Sequence, residues 1–150
     1  MGKESEYPLE IKWIDVKYNG NLEDAFQIRR NVFINEQNVP EEEEFDEADL
    51  ESHHAVVYAD GSPVATGRLF KSEKYWIIGR ISVLKEHRGK QAGKLVVEKL
   101  LEKAAELGAK EVHIHAQTHA SGFYGKFGFV AYGDTFPESG IEHISMVKRL

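Results

Sequence analysis

One stretch of this chain restricts the folds open to it more than any other. Tyr75 to Val83 is rich in β-branched and aromatic residues and runs through Ile78-Gly79-Arg80-Ile81-Ser82-Val83-Leu84. A basic, glycine-containing segment follows, Arg88-Gly89-Lys90-Gln91-Ala92-Gly93-Lys94. Then Val96, Val97, Leu100, Leu101, Ala104 and Leu107 recur at helical spacing, with Gly108 as a stop. The pattern predicts strand, loop and helix. A loop of this kind turns backbone N–H groups inward at a helix N-terminus, where the helix dipole adds positive potential. It suits a phosphate or pyrophosphate, so a phosphorylated ligand is expected; a plain β-turn into a helix is the alternative.

At 150 residues the chain is expected to form one domain, 1–150, with a real core. A formal net charge of -6 argues against nonspecific nucleic-acid binding. Yet Lys85, Arg88, Lys90 and Lys94 make a local basic patch. The absence of cysteine removes disulfides, thiolate metal sites and a thiol nucleophile. No apolar run is long enough to span a bilayer, and Met1 to Glu6 has neither a signal-peptide core nor a myristoylation pattern. A cytoplasmic protein with no membrane partner is the expectation.

Leu9 to Val16 alternates as a first strand, and Asn19-Gly20-Asn21 offers a turn and a helix N-cap. Leu22, Ala25, Phe26, Arg29 and Phe33 predict a helix through about Phe33, with Arg29 its one charged exception. Asn35 to Asp49 reads as irregular, broken at Pro40 and carrying Glu41 to Glu44. His54 to Ala59 and Val64 to Phe70 form a hairpin around Asp60-Gly61. After the long helix come a strand at Val112 to Ala116 and a short helix from Ala120 to Phe127. A final strand pair, Phe129 to Phe136 and Ile141 to Lys148, flanks Pro137-Glu138-Ser139-Gly140. The order is that of an α/β chain with a central mixed sheet covered by helices.

A second motif lies after the next strand: Gln117-x-x-Ala120-x-x-Phe123-Tyr124-x-x-Phe127-Gly128-Phe129. Together the two motifs resemble those of the GNAT superfamily of acetyl-CoA-dependent N-acetyltransferases. Val32-Phe33-Ile34-Asn35-Glu36-Gln37 and Gly140 to Met146 look like a small bacterial subgroup. The resemblance implies a three-layer fold whose mostly antiparallel sheet is splayed at the cofactor site, with helices on both faces. It also implies acetyl-CoA as cosubstrate and no metal.

Residue by residue, the resemblance puts the pyrophosphate on Arg88, Gly89, Lys90, Gln91, Ala92, Gly93 and Lys94. The backbone of Ile81, Ser82 and Val83 would face the pantetheine arm, as extended amides pair with extended amides. An N–H from the same region would polarise the thioester carbonyl. Gln91 stands where the family has a glycine, so its backbone is expected to adopt a conformation a non-glycine residue tolerates. Gln117 replaces the usual Asn and keeps an amide. The motif puts Tyr124 beside the CoA sulfur, where a phenol protonated at neutral pH can serve the leaving thiolate; a packing tyrosine is the alternative.

Attack on a thioester needs a neutral amine, so a base is expected; the candidates are Glu36, after the first helix, and His143, on the last strand. Glu142 adjoins His143, but neighbouring strand residues face opposite ways. The acidic run Glu41 to Glu44, with Asp46, Glu47 and Asp49, reads as a solvated loop or as an attractor for a cationic amine. His113, His115 and His119 have metal-like spacing without a fixed further ligand.

With no cysteine, direct attack in a ternary complex is the expected course. The acceptor would be a primary amine, on a small molecule or a protein. A homodimer is possible on general grounds. The rival readings are a non-catalytic acyl-CoA-binding sensor or interaction module and a histidine-based metal enzyme.

Overall fold

The computed structural model describes residues 9–15 and 22–150. The turn expected at Asn19-Gly20-Asn21 and the end of the first strand at Val16 lie outside those residues. Among the described residues, seven strands form one sheet in the order β1-β2-β3-β4-β5-β7-β6. β1 (Leu9–Asp15), β2 (His53–Ala59), β3 (Ser62–Lys71) and β4 (Trp76–Val83) pair antiparallel in sequence. β4 then lies parallel to β5 (Glu111–Gln117). β5 pairs antiparallel with β7 (Ile141–Arg149), and β7 with the edge strand β6 (Val130–Glu138).

The parallel join is where the sheet opens. β4 and β5 pair only at Trp76 with Val112, Ile77 with His113 and Ile78 with Ile114. Just beyond, Arg80 and Ile81 of β4 stand opposite the single residue Gly67 of β3, between the pairs Arg68–Gly79 and Thr66–Ser82. Arg80 takes a left-handed conformation there, φ +53°. Such a bulge adds twist and turns the strand from its neighbour, so the ends of β4 and β5 diverge.

Helices cover both faces, as expected. α4 (Ala92–Glu106) sinks Val96, Val97, Leu100 and Ala104 against Ala55, Val57, Ala65, Leu69, Val112 and Ile114. Gly67 lets it approach closely: a Cβ there would stand 2.7 Å from Val96 Cγ1 and 2.9 Å from both Ile81 Cδ1 and Leu100 Cδ1. On the other face α1 (Glu23–Arg29) packs Ala25 and Ile28 on Val56 and Tyr58, the alternate residues of β2. The expected helix through Phe33 does not stay α-helical. From Arg30 to Glu36 it continues as a π-helix, a wider turn that shifts which residues face the sheet.

The acidic segment is corrected. It is not a solvated loop but two short helices, α2 (Glu41–Glu44) and α3 (Ala48–Glu51). The two hairpins expected from the sequence close on two residues with positive φ, Asp60-Gly61 and Ser139-Gly140. β6 therefore runs two residues further than expected, through Pro137. The proline is tolerated because β6 is an edge. α5 (Ser121–Gly125) returns to the α4 side, where Tyr124 joins the core. Among the described residues no helix is long and apolar enough to cross a membrane.

Candidate active site

A cleft of about 1330 Å³ runs through the opening between β4 and β5. At one end α4 starts behind Gln91, which sits at φ +73° and gives no side-chain cap. Gly89 is also left-handed, φ +79°. No acidic residue stands in the first turn, so the first N–H groups of the helix keep their hydrogen-bonding capacity and positive potential. His87, Arg88 and Lys94 line this end. Gly93 meets β4 closely, since a Cβ would lie 3.3 Å from Val83 Cγ2.

The residues expected to hold the cofactor all line the cleft except two. Ala92 is buried in the core beneath the sheet, and only its backbone remains for a ligand. Lys90 is exposed outside the cleft wall. Arg88 is already engaged: its guanidinium donates to both oxygens of Glu36, at 2.7 and 2.8 Å, and its Nε–H to the Val83 carbonyl at 3.0 Å. This pair occupies the Glu36 carboxylate, one of the two base candidates. The hydrogen bond from Arg88, then its charge and that of Lys85, hold the Glu36 carboxyl below its usual range despite slight burial. A carboxylate gripped by a guanidinium fork is a weak proton acceptor.

Tyr124 lines the cleft from the α4 face of the sheet. Its ring packs edge-on to Phe123 and Phe129, and it is 7% exposed. Burial pushes its phenol well above the ordinary tyrosine range, so it holds its proton at neutral pH.

His143 approaches from the opposite face. Its Cα pairs with Gln117 on β5, so it shares a face with Gln117 and His115. Its Nδ1 lies 2.7 Å from the Ile141 carbonyl. A carbonyl only accepts, so Nδ1 carries the hydrogen and a neutral His143 keeps its lone pair on Nε2. The π-helix closes this side, because Gln37 and Gln117 exchange amide hydrogen bonds at 3.0 and 3.4 Å.

The family model described as an acetyltransferase (GNAT) domain matches residues 15–150. The chain belongs to the GNAT family. Over 92% of this GNAT chain and 99% of the relative, it is 41% identical to an uncharacterized N-acetyltransferase, YjcF, of Bacillus subtilis. An acyl-CoA N-acyltransferase of Pseudomonas aeruginosa is 30% identical and superimposes with a TM-score of 0.83, covering 93% of this chain and 99% of that one. ElaA of Escherichia coli gives 30% and 0.84, covering 94% and 99%. The fold is therefore the GNAT fold, and the protein is an acyltransferase of that family.

Gln91 departs from the GNAT glycine, and its backbone lies in the left-handed region that a non-glycine residue tolerates at some cost. It holds the conformation glycine would take, because the loop must bend sharply to start α4.

The acidic segment of this GNAT chain is divided: Glu41 to Glu43, Asp46 and Glu47 are exposed, whereas two of its carboxylates are buried. Glu44 and Asp49 are 3% and 2% exposed. Arg29, itself 1% exposed, donates to Glu44 at 2.8 Å and to Asp49 at 2.7 Å. Arg68 binds Asp46 and Asp49 at 2.6 and 2.8 Å, and Arg80 approaches Glu44 at 3.2 Å. Burial would raise Asp49, but the bonds and charges of Arg29 and Arg68 outweigh it and hold it low. Glu44 goes the other way, pushed up by burial in spite of Arg80, Arg29 and Arg68. Only Arg29's helical position hinted at this network, since a lone charge on an apolar face needs buried partners.

The three histidines do not converge. His113 lies between Glu111 and the Tyr132 hydroxyl at 2.5 and 2.9 Å, stacked on Tyr75. His115 instead meets Glu138 at 3.1 Å. Among the described residues no group of three or more His, Cys, Asp or Glu is placed to hold a metal.

Proposed function

We propose that this protein is an acetyl-CoA-dependent N-acetyltransferase of the cytoplasm, acting on a primary amine by direct attack in a ternary complex. The divergence of β4 and β5 carries the reading. It leaves the Gly79–Val83 backbone without a partner strand on the β5 side, between the uncapped start of α4 and Tyr124, with the Val83 carbonyl meanwhile held by Arg88. An extended amide chain ending in a diphosphate matches that layout: strand edge for the amides, helix N-terminus for the phosphates. The residues present fit such a ligand, since the first N–H groups of α4 have no side-chain cap and Gly93 admits close approach.

Acetyl-CoA, when bound, supplies the activated acyl group. Ile81, at the bulge, would offer a backbone N–H toward the carbonyl oxygen. Tyr124, from the helix side, keeps a proton for the departing sulfur. His143, from the other face, presents the Nε2 lone pair to an amine whose ordinary pKa of about 10.4 leaves it charged at neutral pH. Opposed faces suit acid and base, because the acceptor then enters without displacing the donor.

The test is thiol release from acetyl-CoA over a panel of small primary amines and peptide amines, with CoA affinity measured in parallel. Amine-dependent release is expected. Tight CoA binding with no transfer to any amine would favour the non-catalytic binding module instead.

A further inference from the structure

The end of the cleft built by β5, β6 and β7 holds a carboxylate between two imidazoles. The two-residue turn Ser139-Gly140 sets Glu138 opposite Ile141, two residues from His143. One Glu138 oxygen lies 3.1 Å from His115 Nδ1; the other lies 3.8 Å from His143 Nε2. Phe136 touches both rings, edge-on to His115 and stacked with His143. His143 is buried, whereas half of the His115 side chain meets solvent.

A carboxylate only accepts, so His115 donates through Nδ1–H. At 3.8 Å the other oxygen is too far for a hydrogen bond to Nε2. The two groups are charge neighbours rather than hydrogen-bonded partners. Once Nε2 is protonated, the same oxygen is its nearest counter-charge.

Building on the acetyltransferase reading above, we propose that Glu138 is a positioning residue for the base. It supports the His143 imidazolium and is shared with His115, whose own charge decides how much of Glu138 is left for His143. The step is a proton transfer alone. The acceptor N–H bond breaks, the proton passes to Nε2, and the imidazolium faces Glu138 until it yields the proton to water.

Other charged groups are already committed or turned away. Arg80 of β4 also acts on Glu138 but is bound to Glu44 and Asp46. Glu142 of β7 faces the other way and accepts from Thr118. Glu43 of α2 and His119 line the same cleft but are not hydrogen-bonded to this trio, so each is a control position.

The test is an imidazole NMR titration of the full chain, read with the pH profile of kcat/KM. Glu138→Gln is expected to lower the His143 midpoint by about one unit, the usual loss when an adjacent opposite charge is removed. His115→Gln should raise it by a few tenths, since Glu138 then serves one imidazole. The acid limb of kcat/KM should move with each midpoint. Midpoints within about 0.2 unit of wild type in both variants would overturn the inference. So would midpoints that move while the acid limb stays fixed. The titration needs no acceptor, so a failure to acetylate any amine refutes the acetyltransferase reading while the Glu138–His143 coupling is still decided.

Discussion

The Tyr124 phenol is protected by burial rather than by a charged neighbour. Tyr124→Phe keeps that packing and removes only the proton, so turnover should fall about 100-fold, a typical general-acid effect, with CoA affinity unchanged. An equal loss in affinity would make Tyr124 a packing residue. Asp49 is different, because two guanidiniums depend on it. Asp49→Asn should cost about 3 kcal/mol in urea unfolding, the scale for breaking a buried ion pair. Glu44→Gln should cost less, since burial already favours its neutral form. The pH dependence follows in sign. Asp46 and Asp49 titrate below the unfolded value of about 3.9. Their contribution to stability is complete above that value and is lost as pH falls through the folded values. The Asp49→Asn variant should therefore show a flatter loss of stability below about pH 4 than wild type. At the mouth of the cleft, Glu36→Gln should tighten CoA binding about 2–5-fold at low salt, because it removes a negative charge from an anion site, with the gain shrinking as salt rises.

At the level of elements, α4 is positioned by two tight points. One is its start, where Gln91 carries a left-handed backbone. Gln91→Gly relieves about 1 kcal/mol of steric strain and adds a similar unfolded-state entropy. Stability should then stay within about 1 kcal/mol of wild type, whereas Gln91→Val, β-branched at positive φ, should lose more. The other is Gly67, under Val96, Leu100 and Ile81. Gly67→Ala should destabilise by about 1–3 kcal/mol through overpacking, and because Ile81 shifts with it, CoA affinity should fall too. Calorimetry on the three variants, with and without CoA, checks both predictions. The π-helix belongs to this scale as well. It delivers Phe33, Glu36 and Gln37 to the cleft, and the Gln37–Gln117 pair fastens it across the opening.

For the molecule as a whole, net charge and local field point in opposite directions. The chain carries -6 overall, yet the start of α4 gathers Lys85, Arg88, Lys90 and Lys94. Under the proposed reading, a dianionic diphosphate would be drawn to this end of the cleft rather than to the surface at large. CoA at a hundred times its dissociation constant should stabilise the fold by about 2.7 kcal/mol. The rise in thermal midpoint should diminish with added salt. A salt-independent rise would mean that apolar contacts, not the phosphates, hold the ligand.

The strand–loop–helix stretch, the Asp60-Gly61 hairpin and the Tyr124 motif were legible in the chain alone. Each is local: periodicity, turn chemistry and the start of a helix are written in neighbouring residues. Three-dimensional packing decided the rest. The splay of β4 from β5 depends on a bulge against Gly67, a residue of another strand. The capture of Arg88 by Glu36 and the burial of Asp49 between Arg29 and Arg68 join residues 52, 20 and 19 positions apart. No spacing rule reaches that far, because a charge chooses its partner by distance in space and by the water it loses, neither of which exists until the chain has folded.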